Sequence, residues 1–162
     1  MSKKIETREW KPDYGPDKFN ETVEKSGVTA VGARDFLIAY NVNLNTTSTR
    51  RANSIAFDIR EAGRIRREGG KLDGKIIKDK KGNPLREPGM FKSVKGIGWF
   101  IKEYNIAQIS YNLTDINVSP LHLVFDKTCE QATKKGIRVT GSELIGLVPV
   151  SYTHLRAHET TE

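Results

Sequence analysis

The side chains whose types and spacing could bind a ligand are amides and hydroxyls that alternate with large apolar residues in two stretches of the chain. They are Asn41, Asn43, Gln108, Ser110, Asn112 and Thr114. A carboxamide offers a donor and an acceptor together, so a patch of them suits a flat heterocycle with its own donor–acceptor edge, such as a pterin or a purine. The alternative is that they form the solvated side of a half-buried sheet, where alternating polar positions are the norm.

A second candidate feature is a run of arginines near the end of the first predicted core helix. It comprises Arg60, Arg64, Arg66 and Arg67. Guanidinium groups bind carboxylates and phosphates in a bidentate fashion, which favours an anionic ligand. The alternative is that these cations compensate the dipole at the helix end and otherwise face solvent.

Three other signals favour structural roles. The Gly96-Ile97-Gly98 triplet lies inside a predicted strand, where a phosphate-binding loop is not expected, and so indicates close packing. His122 lies beside the core stripe of the second predicted helix, which favours a structural histidine over a general base. Cys129 falls on that apolar stripe and is expected to pack as a small hydrophobic residue.

The elements that must position these residues follow from hydrophobic periodicity. Phe36 to Leu44 alternates with period two and predicts a strand, and Ala52, Ile55, Ala56, Ile59 and Ala62 recur at helical spacing. The predicted elements are a strand at 36–44, a helix at 48–63, a basic surface hairpin within 64–90, strands at about 91–102 and 106–116, a helix from Ser119-Pro120 to Gly136 and a strand within 137–148.

This order predicts an α+β, ferredoxin-like β-α-β-β-α-β sandwich with an antiparallel sheet. Right-handed crossovers place the first and third strands at its centre. Both helices then cover one face, and the polar alternates of the two central strands share the open face.

Composition limits the class of protein. The chain has 162 residues, one cysteine and a net charge of +7, which favours an anionic partner and argues against disulfides and multi-cysteine metal sites. We therefore expect no metal and a cytoplasmic setting. No apolar run approaches the roughly 20 residues that cross a bilayer, so no membrane association is expected.

Several blocks of sequence resemble the formiminotransferase family. They are Trp10-Lys11-Pro12-Asp13-Tyr14-Gly15-Pro16, residues 29–44, Ile59-Arg60-Glu61-Ala62-Gly63-Arg64, residues 94–99, Ala107-Gln108-Ile109-Ser110-Tyr111-Asn112-Leu113 and residues 141–149. The family transfers the formimidoyl group of N-formimidoyl-L-glutamate to tetrahydrofolate during histidine degradation. Its transferase unit has two subdomains in series, and this chain resembles the C-terminal one.

The resemblance implies that tetrahydrofolate is a co-substrate and that folate contacts lie after the first tryptophan and at the end of the first core helix. Together with the open-face amides, the expected folate-binding residues are Gly15, Pro16, Lys18, Phe19, Asn41, Asn43, Arg60, Gly63, Arg64, Gln108, Ser110 and Asn112. No catalytic residue is expected here, because the catalytic histidine of the family belongs to the N-terminal subdomain. The expected partners are folate, N-formimidoyl-L-glutamate and that missing subdomain, with no nucleic acid, and the family context is compatible with a homodimer.

The resulting domain map has an arm at 1–27, the subdomain at 28–149 with a hairpin insertion at 71–88, and a tail at 150–162. The tail resembles a translated sequencing adaptor and is expected to be disordered. Two other functions are compatible with the predicted fold: a basic ferredoxin-like nucleic-acid-binding module and a non-catalytic dimerisation domain. In the first, aromatic residues on the central strands would stack on bases, but Tyr40 and Tyr111 have the wrong parity for the open face.

Overall fold

The computed structural model describes residues 10–70 and 74–150, and it divides the chain into two units between residues 34 and 35. The described part of the first unit contains a short helix, α1 (Glu21–Ser26). The side chain of Asn20 caps it by accepting a hydrogen bond from the amide of Val23 at 2.9 Å. This helix lies within the arm that the sequence predicts at 1–27.

The second unit holds the predicted sandwich. Its elements are β1 (Ile38–Leu44), α2 (Thr49–Ile59), β2 (Arg64–Ile65), β3 (Arg86–Glu87), β4 (Val94–Ile101), β5 (Ile106–Leu113), α3 (Leu121–Lys134) and β6 (Val139–Ile145). The main sheet is antiparallel with the order β4-β5-β1-β6. The first and third long strands of the described chain are therefore central, which confirms the ferredoxin-like prediction.

One apolar core lies between this sheet and the helices α2 and α3. Alternate residues of β1 and β5 supply its sheet side, including Val42, Ile109 and Tyr111, and Ala52 and Ile55 supply part of its helix side. All five are fully buried, with 0% exposure. Because strand side chains alternate between faces, the intervening residues of β1 and β5 occupy the opposite face.

Two boundaries differ from the sequence predictions. Helix α2 begins after its Ser48 cap as expected but ends at Ile59, because Arg60 adopts an extended conformation (φ −68°, ψ 149°). Ala62, predicted to lie on the buried stripe, is therefore exposed. Phe36 was predicted to begin the first strand, but it precedes β1 and is 81% exposed.

The excursion between α2 and β4 is a small β structure of its own. Strands β2 and β3 pair antiparallel, and further bridges join Arg67 to Ile76 and Lys78 to Pro84. The last of these bridges closes the predicted hairpin, whose turn is stabilised by Asp79 accepting from the amides of Lys81 and Asn83.

No helix within residues 10–70 and 74–150 is long and apolar enough to cross a membrane. The tail predicted at 150–162 lies outside the described residues, apart from Val150. Its adaptor origin stays a prediction.

Candidate functional site

The face of the sheet opposite the helices carries the predicted polar side chains in register. Asn43 lies opposite Gln108, and Asn41 lies opposite Ser110. The row through Asn41 and Ser110 continues on β6 with Glu143. We call this surface the open face.

Gln108 is the centre of a hydrogen-bond network on the open face. Its Nε2 donates to Asn43 Oδ1 at 2.7 Å and to Glu143 Oε2 at 3.1 Å, and its Oε1 accepts from Trp99 Nε1 at 3.0 Å. Gln108 has no exposed surface. Since both of its amide hydrogens are engaged, Gln108 orients its neighbours, and its expected direct contact with a ligand stays a prediction.

The other open-face residues are differently placed. Asn41 is 9% exposed, and no described residue forms a hydrogen bond with its carboxamide. Ser110 is half-buried, whereas Asn112 is exposed. Donors and acceptors of this part of the sheet are thus available to a ligand.

A cavity of about 480 Å³ begins at Ser110 and Asn112 and reaches Arg60, the residue that follows α2. It brings together three of the predicted folate-binding residues, Arg60, Ser110 and Asn112, and adds Lys95 and Ile97. Polar groups of the sheet and the guanidinium of Arg60, in the loop after α2, therefore line one concave surface. Small-molecule sites usually have this concave form.

Arg60 is fixed in place by the backbone around it. Its Nε donates to the carbonyl of Gly63 at 3.1 Å and its Nη1 to the carbonyl of Gly96 at 3.1 Å, while its guanidinium lies 4.1 Å from the ring centre of Phe57. Burial, followed by the charge of Arg86, lowers the pKa of Arg60, but an arginine remains charged at neutral pH.

A larger groove of about 950 Å³ lies between α2 and the β2–β3 excursion. Its cations are Arg50, Arg60, Arg64, Arg66, Arg67, Arg86 and Lys135, and its carboxylates are Asp58 and Glu87. The excess of positive charge makes this basic groove a surface that attracts anions.

Arg64 is one of the groove cations whose charge is partly compensated. It pairs with Asp58 and also donates to the carbonyl of Ser54 at 3.2 Å. The other oxygen of Asp58 lies 3.0 Å from Nζ of Lys135. Burial, and secondly the charge of Arg64, lower the pKa of Lys135.

Gly63 has a structural reason to be glycine. Its φ is +56°, and a Cβ atom there would overlap the carbonyl oxygen of Glu87. Its expected contact with folate stays a prediction. The remaining expected contacts, Gly15, Pro16, Lys18 and Phe19, are exposed residues of the first unit.

The glycines of β4 have the predicted packing role. A Cβ on Gly96 would come within 2.8 Å of the Tyr111 ring, and one on Gly98 within 2.7 Å of the Ala52 methyl.

Cys129 is half-buried, and burial raises the pKa of its thiol. His122 lies half-buried in the first turn of α3.

Sequence reasoning missed Glu143, Trp99 and Lys95. All three lie on edge strands, whose alternation is weak in the sequence, and only the register across β4 and β6 brings them to the open face.

Within the described parts of the chain, no group of three or more His, Cys, Asp or Glu residues could hold a metal ion.

Comparison with known proteins places these features in a family context. Residues 39–159 match the formiminotransferase domain model, and the match includes part of the expected tail. A formimidoyltransferase-cyclodeaminase of Gallus gallus is 43% identical over 149 residues, which cover 92% of this chain and 23% of the relative. A glutamate formimidoyltransferase of Thermoplasma acidophilum is 35% identical over 92% of this chain and 40% of the relative.

The chain therefore spans about a quarter to two fifths of the length of these relatives. A glutamate formimidoyltransferase of Streptococcus pyogenes matches this chain to the same extent as the Thermoplasma acidophilum protein. It is 35% identical over 92% of this chain and 40% of the relative.

Proposed function

The chain belongs to the formiminotransferase domain family, and from that premise we propose that it is the folate-binding C-terminal subdomain of a glutamate formimidoyltransferase. The complete enzyme would move the formimidoyl group of N-formimidoyl-L-glutamate to tetrahydrofolate in the cytoplasmic degradation of histidine. The observation that carries the proposal is the 480 Å³ cavity, in which the carboxamide of Asn112 and the hydroxyl of Ser110 meet the cations Arg60 and Lys95.

The two ends of folate match the two kinds of group in this part of the molecule. The pterin is flat and carries donors and acceptors on one edge, which the carboxamides and the hydroxyl of the open face complement. The glutamate moiety carries carboxylates, which cations such as Lys95 attract. The basic groove supplies further positive charge for the carboxylates of either substrate.

The contribution of this chain to the reaction is to hold the substrates. The transfer requires an amine of tetrahydrofolate to attack the amidine carbon, and a proton must reach the departing nitrogen. A group that titrates near pH 7 serves this proton transfer best, and we assign it to the N-terminal subdomain, which would be the partner of this chain. Holding the reactants in register contributes a large share of the rate.

Titration calorimetry with tetrahydrofolate tests the proposal on the full chain. The unsubstituted protein should bind, and Lys95→Ala should weaken binding about two- to fivefold, as expected for the loss of one charge contact at an exposed lysine. Lys102→Ala is the matched control, since Lys102 is an exposed lysine in the turn after β4 and should leave affinity unchanged. Absence of binding to the unsubstituted protein would contradict the folate assignment.

The same protein can be tested against single-stranded RNA. The rings of Tyr40 and Tyr111 lie on the core side of the central strands, with 8% and 0% exposure, so neither can stack on a base. We expect RNA not to compete with tetrahydrofolate at physiological salt. Tight RNA binding that falls steeply with salt would instead favour the nucleic-acid module.

A further inference from the structure

We propose that Glu143, together with Asn41, recognises the donor edge of the pterin ring and so selects 2-amino-4-oxo heterocycles. This inference rests on the proposed function, because that function supplies the pterin. It assigns a specificity role to a carboxylate that is not among the expected folate-binding residues.

Three strands bring one row of polar side chains together at this point. Ser110 on β5, Asn41 on β1 and Glu143 on β6 are direct cross-strand neighbours. Directly opposite residues have Cβ atoms about 5 Å apart, so the row spans about 10 Å. That length is comparable to a fused two-ring heterocycle lying on the sheet.

Glu143 is held in position for a ligand. Gln108 Nε2 donates to its Oε2 at 3.1 Å, and Gln108 is itself fixed by Asn43 and Trp99. A carboxylate has about four lone-pair sites, so one bond from Gln108 leaves the carboxylate of Glu143 able to accept two further hydrogen bonds.

Asn41 is the second residue that we expect to contact the pterin edge. The residue is only 9% exposed, and its carboxamide forms no hydrogen bond with a described residue. Because no fully buried side-chain polar atom of the described residues lacks a partner, the carboxamide of Asn41 is still in contact with solvent, and a ligand that displaced this solvent would have to offer it a hydrogen-bonding partner. A ligand edge placed between Asn41 and Glu143 would supply one and would at the same time use the free lone pairs of the carboxylate.

The chemistry of the carboxylate selects the ligand. A pterin presents two adjacent donors, N3–H and the 2-amino group, and a carboxylate accepts both in a bidentate fashion, as it does from a guanidinium. Among the described residues that the register places on the open face of the four long strands, Glu143 is the only carboxylate. Lys95 on β4 lies on the same face, so the carboxylates of folate would extend toward β4.

The test uses the full chain and the variant Glu143→Gln, which keeps an oxygen for Gln108 but replaces one acceptor by a donor. Tetrahydrofolate affinity should fall about ten- to a hundredfold, which corresponds to the loss of a charged hydrogen-bond pair. Glu103→Gln, at an exposed carboxylate in the turn after β4, is the matched control and should bind normally. Equal affinity of Glu143→Gln and the unsubstituted protein would overturn the proposal.

A second pair of ligands separates recognition from a structural role. Pterin and lumazine differ at one position, where lumazine carries an oxygen in place of the 2-amino group. Chemical-shift titrations should show that the unsubstituted protein prefers pterin, and that Glu143→Gln reduces this preference about tenfold or more. A variant that loses both ligands equally, or that shows an altered thermal unfolding curve, would mean that Glu143 only supports the sheet.

The two proposals can fail separately. If the unsubstituted protein prefers pterin to lumazine but does not bind tetrahydrofolate, the folate function is wrong and the role of Glu143 stands. If tetrahydrofolate binds but the protein does not distinguish pterin from lumazine, the role of Glu143 is wrong and the folate function stands.

Discussion

At the scale of single residues, a substitution of Gly63 measures how tightly the segment after α2 packs against Glu87 of β3. An alanine there would have to keep a φ of +56°, and its methyl group would overlap the carbonyl oxygen of Glu87. We expect Gly63→Ala to lower the free energy of unfolding by about 2–5 kcal/mol, the sum of backbone strain and overpacking. Urea denaturation followed by circular dichroism measures this change.

Gly82→Ala is the matched control for Gly63→Ala. Gly82 also has a positive φ of 83°, but a Cβ there meets no atom within 4 Å. Only the strain of the left-handed conformation remains, so the cost should be about 1 kcal/mol. Equal costs for the two variants would show that the segment after α2 relaxes around the added methyl group.

The sequence predicted individual side chains unevenly, and Gln108 illustrates the reason. Alternation correctly predicted its position on the open face, because the period of a strand is a local property. Its complete burial, by contrast, depends on the register of four strands. The same register brings Gln108 into hydrogen-bonding distance of Asn43, Glu143 and Trp99. Register is set by pairing between distant segments, and one stretch of sequence does not reveal it.

At the scale of elements, one side chain attaches α2 to the edge strand β4. Asn53 donates to the carbonyl of Gly98 at 3.0 Å and accepts from its amide at 3.0 Å, so both backbone groups of Gly98 are satisfied. Arg60 bonds to the carbonyl of Gly96 on the same strand. Because unpaired edges invite association with other strands, these contacts protect β4 as well as fixing the helix.

We expect Asn53→Ala to lower the free energy of unfolding by about 1–3 kcal/mol, because it leaves two buried backbone groups of Gly98 without partners. Hydrogen exchange of the Gly98 amide should accelerate by more than that of amides in β1. Asn117→Ala, at an exposed position in the loop before α3, should change neither quantity. Unchanged exchange at Gly98 in the Asn53 variant would contradict the role of this contact.

The type and order of the long elements of the second unit could be predicted from sequence, whereas some of their ends could not. The buried stripe Ala52, Ile55, Ala56 and Ile59 was correctly predicted, because burial follows the 3.6-residue period. The end of α2 was predicted four residues too late. Arg60 leaves the helix to bond with the carbonyls of Gly63 and Gly96, and these tertiary contacts have no local signal in the sequence.

At the scale of the whole molecule, the division into two units predicts independent folding of the larger one. Every buried residue of the hydrophobic core cluster lies between Ile38 and Ile137. A chain that begins at Asp35 should therefore keep its cooperative transition, with a melting temperature within about 4 °C of the full chain, a shift that corresponds to roughly 1 kcal/mol. Loss of the transition on deleting residues 1–34 would show that the first unit is required for the fold.

The same deletion tests the folate contacts that are expected from the first unit. The family resemblance assigns folate contacts to Gly15, Pro16, Lys18 and Phe19, which belong to the first unit, whereas the 480 Å³ cavity is formed by the second unit alone. If both sets bind the same ligand, the shortened chain should bind tetrahydrofolate about tenfold more weakly or worse, while its preference for pterin over lumazine persists, since Asn41 and Glu143 remain. Unchanged affinity would contradict the four contacts of the first unit, and a lost preference would contradict the role of Glu143.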